Sequence, residues 1–121
     1  MYYEVTGINL ALDKPMPLRV LVVAEDVAEA NAKGQDYIDE IAHVNRSLIR
    51  EITNCQGSRL WKATLRGEMP ADGKTKVGNY IVLTRGDNFA HAADQLRDYI
   101  SQGYEMEIVS MSVIKIDYVE E

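Results

Sequence analysis

Two stretches of this chain repeat one another. Val27–Ile38 reads VAEANAKGQDYI and Phe89–Ile100 reads FAHAADQLRDYI, at a constant offset of 62 residues. Ala28/Ala90, Ala30/Ala92, Asp36/Asp98, Tyr37/Tyr99 and Ile38/Ile100 are identical, and Val27/Phe89 is an apolar match. Each stretch reads as a helix. Asp26 and Asn88 precede them as N-caps, and Glu29 completes a capping-box pattern with Asp26. Val27, Ala30, Gly34, Tyr37 and Ile41 recur at three- and four-residue steps and predict one apolar face. Phe89, Ala92, Leu96, Tyr99 and Ile100 predict the other. Gly34 costs a helix about 1 kcal/mol relative to alanine, so a close approach by a neighbouring backbone is expected there.

Strands flank both helices. Tyr2–Leu12 alternates apolar and polar residues, with a slip of phase at Gly7 that suggests a bulge. Asp13–Pro17 carries two prolines and is expected to break that strand. Leu18–Ala24 is rich in valine and reads as a buried strand. Asn45–Thr53 contains a third strand, with Leu48, Ile49 and Ile52 as its apolar content, and Asn54–Ser58 reads as the boundary between the two copies. In the second copy Leu60–Arg66 places Trp61, Ala63 and Leu65 on one face and Lys62, Thr64 and Arg66 on the other. Asp72-Gly73 predicts a hairpin turn, Val77–Thr84 the return strand, Gly103 a helix stop and Glu105–Tyr118 a long last strand. Ser47-Leu48-Ile49-Arg50 matches Ser112-Val113-Ile114-Lys115 by residue type at an offset of 65, three residues having been gained between helix and strand.

The expected fold is α+β, a tandem ββαβ repeat with two helices packed on an antiparallel or mixed sheet. Residues 1–121 read as a single compact domain of two pseudo-repeats, 2–53 and 60–118. One unit of this size buries too little surface to be stable alone, so the two are expected to share their burial.

Composition narrows the function classes. The net charge of −6, from 13 basic and 19 acidic residues, argues against coating duplex nucleic acid through a general basic field. A single cysteine, Cys55, excludes an internal disulfide framework and suits a reducing compartment. The opening MYYEVTGINL lacks a basic stretch followed by an apolar core, and no apolar run approaches a membrane span. The expectation is a cytoplasmic protein of the host cell, without a membrane and without a small-molecule cofactor.

Chemistry-bearing patterns are sparse. His43 and His91 do not occupy corresponding positions of the repeat and form no metal-ligand spacing, so both are expected at the surface. Cys55, in Asn-Cys-Gln-Gly-Ser, has no active-site signature around it. Glycine-rich phosphate cradles are absent, and Arg85-Gly86-Asp87 reads as the turn from strand into helix cap. One cluster stands out. Trp61, Lys62, Arg66, Lys74, Lys76, Tyr80 and Arg85 gather around the second hairpin, and aromatic and basic side chains on a sheet are a means of stacking and holding a single strand.

From Trp61 onward an aromatic-led strand, Asp72-Gly73-Lys74, Lys76-Val77, Tyr80-Ile81-Val82, Phe89-Ala90-x-Ala92 and Val113-Ile114-Lys115-Ile116 follow in order. This half of the chain resembles an uncharacterised family of short proteins from phages and mobile elements of gut anaerobes. Residues 2–53 would then be a diverged copy, opened by Tyr2-Tyr3-Glu4-Val5. Gly78-Asn79 and the doubled length depart from the family pattern. The resemblance implies an accessory protein and no catalytic residues. The expectation is therefore a non-enzymatic binding or assembly protein acting on a protein partner or by self-association. The alternative is a single-stranded nucleic-acid binder on the aromatic and basic face, and the third reading an enzyme with an unrecognised site.

Overall fold

The computed structural model describes residues 1–11, 14–71, 74–102 and 105–120, with the side chains of all of these except 11, 69–71 and 74–76. The fold is α+β, with two helices and two mixed sheets of four strands. The chain divides into two compact units. One comprises Met1–Leu48 with Lys115–Glu121, the other Ile49–Ile114.

In the first unit β1 (Tyr2–Ala11) and β2 (Lys14–Val23) form an antiparallel hairpin, followed by α1 (Val27–Gly34) and β3 (Glu40–Arg46). β3 returns antiparallel to β1. Alternation sends Tyr3 and Val5 of β1 and Val20 and Val22 of β2 to the helix side, where Ala24, Ala30 and Ile38 complete the buried cluster. Each fully buried valine or leucine in such a cluster contributes about 2 kcal/mol. Asp26 caps α1 by accepting from the Glu29 amide at 2.8 Å, and the Glu29 carboxylate returns to the Glu25 amide.

In the second unit β4 (Ile49–Ile52) precedes the hairpin of β5 (Arg59–Ala71) and β6 (Lys74–Gly86), then α2 (Phe89–Ser101) and β7 (Met106–Val113). β7 pairs antiparallel with β5, and β4 runs parallel to β6. Ala63, Leu65, Val82, Leu96 and Ile100 form the buried cluster. Asn88 caps α2 by accepting from the His91 amide at 2.9 Å. The last strand, β8 (Tyr118–Val119), lies parallel to β2 in the first sheet. The sheet orders are therefore β3-β1-β2-β8 and β4-β6-β5-β7.

Several expectations are corrected. The first helix ends at Gly34, so Tyr37 lies in the following turn and Ile41 in β3. Gly34 is close-packed as expected, but a Cβ there would lie 2.7 Å from a Val5 side-chain methyl, not against backbone. Asn45–Thr53 does contain a strand, β4, but it is the fourth in order and not the third. That role belongs to β3, and Ile49–Ile52 crosses into the other sheet. The long last strand divides into β7 and β8. Pro15 and Pro17 lie inside β2, opposite Leu10 and Ile8. β8 reaches β2 only at Val20 and Leu21, so over the prolines that edge has no ladder to interrupt. Phe89 and Val27 are exposed rather than docked. Asp72-Gly73 and Gly103 lie outside the described residues.

Gly7 and Gly67 each permit a strand to cross closely. A Cβ on Gly7 would lie 2.1 Å from the Glu40 carbonyl oxygen, and one on Gly67 2.1 Å from that of Glu105. The bulge expected at Gly7 is present in the β1–β3 pairing, where Ala42 of β3 has no counterpart between Thr6 and Gly7.

Candidate functional site

The β5–β6 register decides what the aromatic and basic residues can do together. Trp61 lies opposite Thr84, and Leu65 opposite Tyr80, so both rings are on the helix side with Ala63 and Val82. Lys62 opposite Leu83, Arg66 opposite Asn79 and Arg85 opposite Leu60 belong to the other side. The pleat thus separates the rings from these three cations. Trp61 is 6% exposed, donates its Nε1–H to the Gly86 carbonyl at 3.0 Å and meets the Phe89 ring edge-on at 6.0 Å. Tyr80 is half-buried and donates to Glu51 at 2.9 Å. The side chains of Lys74 and Lys76 lie outside the described residues.

Polar clusters unmarked in the sequence hold the second unit closed. The Glu51 carboxylate of β4 accepts from Tyr80 and from Tyr99 of α2. Next to it, the Thr53 and Thr84 hydroxyls share a buried hydrogen bond of 2.7 Å. Cys55 is buried, and its amide donates to Thr53 Oγ1 at 3.4 Å. Gln95 of α2 donates to the Gln56 and Arg85 carbonyls.

Ser58, Asp87 and His91 form another group. Asp87 accepts from the Ser58 amide at 2.9 Å, and hydrogen bonds from the Ser58 backbone and side chain hold its carboxyl below the ordinary range. His91 Nδ1 accepts from the Asp87 amide at 3.0 Å. With Nδ1 taken by that amide, this nitrogen of His91 is not available as a base toward Ser58. This is a helix-entry cap. His43 is exposed on β3. Among the described residues no three His, Cys, Asp or Glu side chains gather as a metal set. No helix among them is long and apolar enough to cross a membrane.

In the first unit the corresponding clasp is aromatic. The Tyr37 and Tyr118 rings stack at 4.1 Å, bordering a cleft of about 300 Å³ with Leu18, Val20 and Asp117. A hydrogen bond with the Tyr118 side chain, then partial burial, push the Tyr37 phenol from 10.0 up to about 12. A folded value above the unfolded one stabilises fully below the unfolded value and is lost as pH rises through the folded one. Phenolate absorbance is therefore expected to show one late tyrosine near pH 12, with first-unit stability falling between about pH 10 and 12. Tyr118→Phe should return that tyrosine toward its ordinary value. An unchanged titration would show that Tyr118 is not the cause.

The strand edges differ in chemistry. β3 closes one side of the first sheet and carries Glu40, His43 and Arg46. β7 closes one side of the second sheet and carries Glu107 as its single charge. Val109, which has no counterpart on β5, is 56% exposed, and Val113 is 53% exposed. Beyond the bulge Ser110–Val113 pairs regularly with Trp61–Thr64. Charge on an edge strand discourages a further strand from adding, and β7 has little of it.

Comparison with protein-family models, curated proteins and solved structures returned no match.

Proposed function

We propose that this chain is a non-enzymatic binding and assembly protein, of the phage or mobile-element accessory kind, that engages a protein partner along the open edge of β7. The observation that carries the reading is that edge, with its single charge and exposed valines. Strand addition draws affinity from main-chain hydrogen bonds and specificity from alternate side chains, and Ser110–Val113 offers both. The polar groups with chemical potential, Glu51, Thr53, Thr84, Asp87 and His91, are meanwhile engaged in holding the second unit together.

The scaffold behind this edge is a duplicated ββαβ unit. Reading each sheet from its third strand gives β3-β1-β2-β8 and β7-β5-β6-β4. Asp26 and Asn88 cap their helices in the same way. Gly7 and Gly67 admit the Glu40 and Glu105 carbonyls at the same separation. Lys33 and Gln95 each donate to a carbonyl at the end of the hairpin's second strand, Val23 and Arg85. Glu120 and Thr53 each donate an amide to a hairpin leucine, Leu21 and Leu83. The boundaries between units fall inside the matched Ser47–Arg50 and Ser112–Lys115 segments. What distinguishes the copies is the chemistry of the corresponding edge, charged on β3 and nearly uncharged on β7.

The test is affinity purification from the source cell with tagged wild type and with Val109→Lys and Val113→Lys chains. A protein retained by wild type and reduced at least tenfold by either lysine is the expected result, a loss of about 1.4 kcal/mol. Equal recovery from all three would remove β7 as the docking edge.

A further inference from the structure

The segment that closes the first unit is bound there as a short extended ligand. Tyr118 and Val119 run parallel to Val20 and Leu21 of β2. The Asp117 amide donates to the Arg19 carbonyl at 2.8 Å, while the Arg19 amide donates to Asp117 Oδ2 at 2.8 Å. The Glu120 amide donates to the Leu21 carbonyl at 2.9 Å. Its carboxylate accepts from the Val23 amide at 3.2 Å and from Lys33 Nζ at 2.9 Å. The Tyr118 ring lies on Tyr37, and Ile116 is buried. Main-chain pairing and three side-chain contacts therefore read an Asp-Tyr-Val-Glu pattern.

We propose that this β2 groove is an interaction site for the 115–120 segment of a second copy of the chain, so that two molecules dimerise by exchanging these segments reciprocally. Each contact made within one molecule is reproduced when a second molecule supplies the segment, so exchange forfeits none of them. The two arrangements differ in the strain of the connection and in the effective concentration of the segment. The segment is held by a two-residue strand and joined to β7 through residues 114–117 alone. A strand of two residues opens at lower cost than the long core strands. A short tether favours the intramolecular arrangement up to protein concentrations of about a millimolar. Shortening the connection removes that advantage.

Deletion of Lys115, which is exposed, tests the proposal in the full chain by sedimentation. The expected result is an increase of about twofold in mass at micromolar concentration, where wild type stays monomeric. Adding Tyr118→Ala and Glu120→Lys to the deletion should restore the monomer, whereas adding Val113→Lys should not, which separates this site from the β7 edge. A folded deletion chain that stays monomeric, or a dimer indifferent to the Tyr118 and Glu120 changes, would overturn the proposal. Should the deletion chain fail to fold, wild type refolded from denaturant at millimolar concentration gives the second reading. A dimer absent from the Tyr118→Ala/Glu120→Lys chain supports the exchange, and none at all refutes it.

Discussion

Trp61→Ala is expected to destabilise the second unit by about 3–5 kcal/mol, the usual cost of emptying a buried tryptophan site. The ring is 6% exposed, and its removal leaves a void beside Ala63, Thr84 and the Phe89 edge. It also leaves the Gly86 carbonyl without the indole donor that reaches it at 3.0 Å. Trp61→Phe separates these contributions. It retains most of the apolar volume and loses the hydrogen bond, at about 1 kcal/mol for the bond itself. Chemical denaturation followed by circular dichroism measures both, since the chain has one tryptophan and fluorescence is lost with it. A loss below about 1 kcal/mol for Trp61→Ala would mean that the indole is not a core group, and would return it to consideration as a surface for stacked bases.

That residue also illustrates what the sequence makes legible. The alternation of Trp61–Arg66 places the indole with Ala63 and Leu65 and turns Lys62 and Arg66 away, as β5 does in the structure. The candidate cluster joins residues of opposite parity, and the pleat of β5 is enough to separate Trp61 from Lys62 and Arg66. Local chemistry equally specifies both helix caps and the buried Ala30/Ala92 and Ile38/Ile100 pairs. β3 is not legible in the same way. In EIAHVNR the apolar Ile41 and Val44 are three residues apart, a spacing that continues the preceding helical pattern. Only the close crossing at Gly7 and the break after Gly34 turn the segment into an edge strand. The exchange of β4 and β8 between sheets is a question of partners remote in the chain, Ile49 with Ile81 and Tyr118 with Val20. No local periodicity encodes a parallel partner. In the sequence Val109 and Val113 do not differ from core valines; their exposure follows from β7 having, among the described residues, a strand neighbour on one side alone.

Gly67→Ala is expected to cost about 3 kcal/mol, the upper end for overpacking a fixed backbone, while Gly78→Ala costs less than about 0.5 kcal/mol. The two glycines face each other across the β5–β6 ladder, so the comparison holds the position along the ladder constant. An alanine Cβ at 67 would lie 2.1 Å from the Glu105 carbonyl oxygen and 2.7 Å from Met106 Cα, atoms that no rotamer change can move aside. At 78 it meets nothing within 4 Å. Relief at 67 requires β7 to withdraw from β5 where Gly67 pairs with Met106 and Arg66 with Glu107. Urea denaturation of the two variants measures the difference, and amide exchange along β7 locates it. Faster exchange at Met106–Ile108 with Ser110–Val113 still protected would keep the docking edge intact in a weakened strand. Faster exchange along the whole of β7 would make Gly67 a determinant of partner binding through the register it permits. Equal stability of the two variants would contradict the close crossing itself.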